Sequence, residues 1–123
     1  CHFHVPDRSP AALAELRARR EAAGVELWSL LVDDGDVSDP EHGERDREWV
    51  RGWIADAAAL GARRVRVIAG KQPPSPDALA RSVAALRSLS AEAEALGVRV
   101  LTENWFALVP GPAEMTAILD ALG

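Results

Sequence analysis

Apolar residues along this chain follow two alternating periodicities. Short, nearly uninterrupted apolar runs occur at Val25 to Val32, at Val65 to Ala69 and in the stretch opening at Val100. They suit strands, and the first is apolar enough to be a strand buried on both faces. Between them lie longer segments whose apolar positions step by three and four, as one face of a helix does. Residues 10 to 23 predict a helix with Leu13 and Leu16 inward and Arg17 to Arg20 as a solvated stripe. Pro40 to Leu60 predicts a second, whose broad buried face carries Trp49, Val50, Trp53, Ile54, Ala57 and Leu60. Two tryptophans one turn apart read as core rather than as a ligand platform. Pro76 to Leu96 predicts a third, with Leu79, Val83, Leu86, Ala93 and Leu96 inward. A last helix is expected from Pro112 to Leu122, facing in through Met115, Ile118, Leu119 and Leu122.

These elements repeat with a fixed rhythm. Gly24, Gly61 and Gly97 each end a helical pattern and lead straight into a strand, at steps of 37 and 36 residues. Glycine suits the left-handed position just past a helix end. Helix starts recur as Ser9-Pro10, Asp39-Pro40, Ser75-Pro76 and Gly111-Pro112. Each sets a capping residue before proline at the first helical position. One strand and one helix per unit, at this period, is what stacked βα units produce. The chain opens at Cys1 to Asp7, where a strand finishes, and stops at Gly123, where the rhythm expects another strand. A closed (β/α)8 barrel needs about 250 residues. The expected architecture is therefore half a barrel, parallel strands alternating with helices. Residues 1 to 123 form one partial domain, a strand remnant plus three βα units, cut at both ends in mid-pattern.

Candidate chemistry gathers where the strands end, because ligands of such sheets sit at the carboxyl ends of the strands. The run Val100-Leu101-Thr102-Glu103-Asn104-Trp105-Phe106 delivers a carboxylate, an amide and an indole as it finishes. Alternation puts Leu101 and Glu103 on one face, Thr102 and Asn104 on the other. Glu103 either serves chemistry there, or caps the following turn or pairs with an arginine. His2 and His4 share a face at the end of the first strand, as metal ligands, substrate-binding groups or a hydrogen-bonded pair. Lys71, after Gly70, can hold an anionic or hydroxylated substrate group, but one glycine is no phosphate cradle. The acidic loop Asp33-Asp34-Gly35-Asp36 departs from calcium-loop spacing. It reads as a strand-to-helix loop with one carboxylate reaching the site.

Composition removes whole classes of function. The net charge of -5 argues against nucleic acid, whose phosphates need clustered lysine or arginine. No run of about 18 apolar residues exists to span a membrane. A single cysteine excludes an internal disulfide and fits a reducing, cytoplasmic compartment. Lys71 is the only lysine, an arginine bias that fits a GC-rich, bacterial genome.

The series Ala57-Ala58-Ala59-Leu60-Gly61 through Val67-Ile68-Ala69-Gly70, with Ala95-Leu96-Gly97-Val98-Arg99-Val100-Leu101-Thr102-Glu103-Asn104, resembles the xylose isomerase-like barrels. The resemblance covers roughly residues 24 to 122. It implies strands matching the second to fifth of the barrel, and an isomerase or epimerase of sugars or sugar phosphates. In that family the glutamate ending the fifth strand binds a divalent metal (Mn, Mg, Co or Zn) and helps move the substrate proton. That role falls on Glu103, as catalytic residue and metal ligand. The remaining ligands, an aspartate, a histidine and a second glutamate, belong to strands six to eight, so this chain is expected to hold an incomplete metal site. The family commonly has histidine two residues after the glutamate. Here it is Trp105, which puts a histidine-dependent role in doubt. The implied reaction is proton transfer beside a sugar carbonyl through an enediolate. Trp105 would lie against the sugar or close the barrel mouth, with Lys71, His4 and Asn104 as further substrate contacts. A different reading is an inactive, structural half-barrel. Its open strand edges drive association with a second copy or with the missing half. A third, a nuclease at abasic DNA sites, is opposed by three histidines where a zinc cluster needs more, and by the acidic charge.

Overall fold

The computed structural model describes residues 4–105 and 107–123. Its elements run α1 (Pro10–Ala22), β1 (Ser29–Val32), α2 (Gly43–Leu60), β2 (Arg64–Val67), α3 (Pro76–Ala95), β3 (Arg99–Leu101) and α4 (Pro112–Leu122). The strands form one parallel sheet in the order β1-β2-β3. Ser29, Arg64 and Arg99 lie in one row across it, and Leu31, Arg66 and Leu101 in the row nearer the carboxyl ends. The sequence rhythm accounts for this order. Gly24, Gly61 and Gly97 all take positive φ, at 66°, 75° and 73°, and turn each helix back toward the sheet. Ser9 and Ser75 accept the N–H of Ala12 and Ala78 at 3.3 and 3.1 Å, capping α1 and α3 ahead of their prolines.

The core lies between the sheet and the helices. Leu30, Val32, Val65 and Val67 point into it, and Val50, Trp53, Ile54, Ala57 and Leu60 of α2 meet them with Leu86, Leu89 and Ala93 of α3. Among the described residues, only this face is packed by helices. On the opposite face Leu31 remains 51% and Leu101 36% exposed.

Several expectations are corrected. The first strand is paired only over Ser29–Val32, because its neighbour begins to pair at Arg64. Val25 is exposed, and its backbone bonds to the end of α1 instead, through Arg20. It is therefore not a strand buried on both faces. α2 starts at Gly43, not Pro40, because the Asp39 carboxylate accepts the N–H groups of Glu41 and His42 and closes a separate turn. Trp53 is core, as expected, but Trp49 stands half out, its ring edge-on to Trp53 at 6.1 Å. The Arg8 guanidinium lies over Trp53 at 4.2 Å and pairs with Asp56, fixing the segment before α1 against α2. Leu16, Leu96 and Leu119 are exposed rather than inward. Each helix meets too few neighbours to bury a wide face, and Leu96 lies beyond the last turn of α3.

Candidate functional site

The three strand tips carry Asp33, Arg66 and Glu103 toward one another on the uncovered face. Alternation explains the placement. Val65 and Val67 face the helices, so Arg66 between them faces away, flanked by Leu31 and Leu101. Arg66 is nonetheless only 6% exposed. Its Nη2 donates to Asp33 Oδ1 at 2.6 Å and its Nη1 to the carbonyl of Val32 at 3.3 Å. Its Nε stands 3.1 Å from Glu103 Oε1. That approach is an ion pair rather than an aligned hydrogen bond, for Nε has no hydrogen-bond partner by direction. Trp105 closes the group. Its backbone N–H donates to the carbonyl of Glu103 at 2.9 Å, and the turn lays the indole 4.7 Å from the guanidinium carbon of Arg66.

Glu103 thus does pair with an arginine, one of the two alternatives the sequence leaves open. The paired side chain stays half-exposed at the strand tip. Glu103 also joins Asn104 on the wall of an open depression of about 410 Å³, with Thr102, Gly111, Pro112 and Met115. Larger hollows lie elsewhere. One of about 460 Å³ borders Arg64 and Arg99 at the amino ends of the strands, another of about 500 Å³ the seam of α1 and α2. Neither is at the carboxyl ends, where this architecture places its chemistry.

Other sequence candidates take separate positions. The backbone N–H of Lys71 donates to Asp36 Oδ1 at 2.9 Å in the layer of loops above the sheet, and the Lys71 side chain is half-buried. His4 is exposed in the turn leading to α1. His2 and Phe106 lie outside the described residues.

Sequence reasoning missed Arg66, and named Asp36 only as a member of the acidic loop. Period-two alternation in Arg64-Val65-Arg66-Val67 is the signal that would have flagged Arg66. Asp36 is the buried knot of the loops. Its Oδ1 accepts from the Ser38 hydroxyl at 2.6 Å and the Lys71 N–H, and its Oδ2 from the Gln72 amide at 2.8 Å. Burial works to raise its pKa. The hydrogen bonds from Ser38, Lys71 and Gln72 outweigh it and hold the carboxyl below the ordinary aspartate range. Gly70 permits this packing, since a Cβ there would meet Ser38 Oγ at 2.2 Å and Leu108 Cδ2 at 2.5 Å.

The donors present fit a metal only in part. Glu103 offers a hard carboxylate oxygen of the kind magnesium or manganese takes. Among the described residues no three histidine, cysteine, aspartate or glutamate side chains cluster to hold an ion.

Parallel strands each followed by a helix, with acidic and cationic side chains meeting at the strand tips, define a βα-barrel protein. The family model of the xylose isomerase-like TIM barrel matches residues 1–123, and the chain belongs to that family. No curated protein matches it. Among solved structures, it is similar to an L-ribulose 3-epimerase, with a TM-score of 0.76 and 29% identity over 90% of this chain and 42% of that one. It shares its fold with a D-psicose 3-epimerase solved with D-fructose, at 0.75 and 18% over 94% and 45%. A xylose isomerase-like barrel from Mycobacterium smegmatis in complex with magnesium aligns at 0.72 and 17%, over 91% and 42%. The chain thus spans less than half the length of these proteins. No helix among the described residues is long and apolar enough to cross a membrane.

Proposed function

We propose that this chain is part of a cytoplasmic, divalent-metal-dependent sugar or sugar-phosphate isomerase or epimerase, in which Glu103 moves the substrate proton. The supporting observation is the convergence of Glu103, Arg66 and Asp33 on the uncovered sheet face, at the carboxyl ends of the strands. Family membership and the epimerases among its structural neighbours point the same way. Glu103 also supplies one carboxylate ligand, and a bound ion would polarise the sugar carbonyl and stabilise the enediolate charge. The Glu103 carboxylate takes the proton from the carbon beside the carbonyl, and the C–H electron pair becomes the enediolate double bond. Return of the proton to the neighbouring carbon gives isomerisation, whereas epimerisation takes its proton from a second acid on the opposite face of the enediolate. Trp105, held against Arg66, offers its outer face to the sugar. Asn104, Lys71 and His4 are the proposed polar contacts of the substrate's hydroxyl or phosphate groups.

The test is Glu103→Gln in the full-length protein, assayed on L-ribulose, D-psicose, D-tagatose and D-fructose with Mn²⁺ or Mg²⁺ supplied. Turnover should fall by about 10² to 10⁴, with the circular dichroism spectrum unchanged. Wild-type turnover by this variant would end the assignment.

A second reading follows from the exposure of Leu31 and Leu101 on that same face. Here the chain is a structural half-barrel that associates through its uncovered sheet. Light scattering on this chain should then report a dimer or larger species, and a monomer across micromolar concentrations would count against it.

A further inference from the structure

We infer that Arg66 is the positioning residue for Glu103, with Asp33 as its anchor, so that the three strand tips act as one unit. The inference rests on the role proposed above for Glu103. Arg66 is the middle residue of its row, and its neighbours across the sheet, Leu31 and Leu101, are apolar. Its charge is therefore met by groups at and beyond the strand ends. Nη1 and Nη2 both donate to the β1 side, to the Val32 carbonyl and the Asp33 carboxylate. Because the guanidinium is planar and rigid, fixing that edge fixes the direction of Nε on the other. Nε then faces Glu103 at 3.1 Å, while the Trp105 ring covers the guanidinium and keeps it from swinging out of the sheet.

This arrangement has a purpose that a simple surface ion pair lacks. A glutamate on an exposed strand tip is free to rotate about its side-chain bonds. A fixed cation confines its carboxylate to one region, and confinement is what proton transfer at a defined carbon requires. Nε is also buried without an aligned acceptor. A buried donor left so is costly, and the contact is built to tighten when Glu103 or a substrate oxygen moves onto it.

The experiment compares Arg66→Gln, Arg66→Lys, Asp33→Asn and Glu103→Gln in the full-length protein, by crystal structure and by kinetics on the same four sugars with Mn²⁺. In Arg66→Gln the Glu103 carboxylate should leave its place, and kcat should fall about 10²-fold while KM changes less than about threefold. Arg66→Lys keeps the charge without the fork and should recover part of kcat, with Asp33→Asn between it and wild type. Should Arg66→Gln fail to fold, the lysine and Asp33→Asn variants carry the same comparison. An unmoved Glu103 in these variants, or an unchanged kcat beside an inactive Glu103→Gln, overturns the inference. Full activity in Glu103→Gln sinks the catalytic reading instead, and the crystal structures then decide alone whether Arg66 places the carboxylate.

Discussion

Asp36 is buried, yet its hydrogen bonds hold its pKa below the ordinary aspartate value. A carboxylate whose folded pKa is depressed contributes stability above its unfolded pKa, and that contribution is lost as pH falls through the folded value. Asp36→Asn should therefore cost about 1–3 kcal/mol at neutral pH, because an amide nitrogen would confront the donors of Lys71 or Gln72. Urea denaturation at pH 7 and at pH 3 measures it. The gap to wild type should narrow at the acid end, and a gap independent of pH would refute the assigned role. Residue-scale features of this kind were the least legible in the sequence. Asp36 sits in an acidic run that reads as a strand-to-helix loop with one carboxylate reaching the site, and its own donors come from up to 36 positions away. Arg66 was hidden likewise. An arginine in a short strand reads as an exposed polar position until the register sets it between two apolar neighbours.

At the level of elements, the local signals were strong because they are chemical and short-range. Glycines past helix ends and serine-proline starts fixed α1, α3 and the turns into the strands. Strand lengths were overestimated, since apolar runs extend beyond the residues that find a partner; Val25 is apolar but has no strand beside it. The packing of one loop on another also escaped notice. Gly70 lies where the loop after β2 presses on Ser38 of the loop after β1 and on Leu108 beyond β3. Gly70→Ala should cost about 1–3 kcal/mol by overpacking, read as a lower urea midpoint with an unchanged slope. Wild-type stability in that variant would mean the loops part without penalty.

For the whole molecule, the glycine rhythm, the recurring helix starts and the chain length together predicted a sector of a βα barrel, and the parallel order β1-β2-β3 with helices on one face agrees. The placing of Glu103 followed from the same rule, that such sheets carry their chemistry at the strand ends. Its surroundings could not follow, because Asp33 and Arg66 are 70 and 37 positions earlier in the chain and meet it only when three strands are in register. The face that hosts this cluster leaves Leu31 and Leu101 exposed, and the two proposals differ in giving it to a substrate or to a second copy. The catalytic proposal stands on whether Glu103 moves a proton. The direct measurement is deuterium wash-in from D₂O to the carbon beside the carbonyl of D-fructose and L-ribulose, followed by proton NMR with Mg²⁺ as the metal. The full-length wild-type protein should label that carbon, and Glu103→Gln should label it at least about 10²-fold more slowly. Equal labelling by the two proteins would contradict the account.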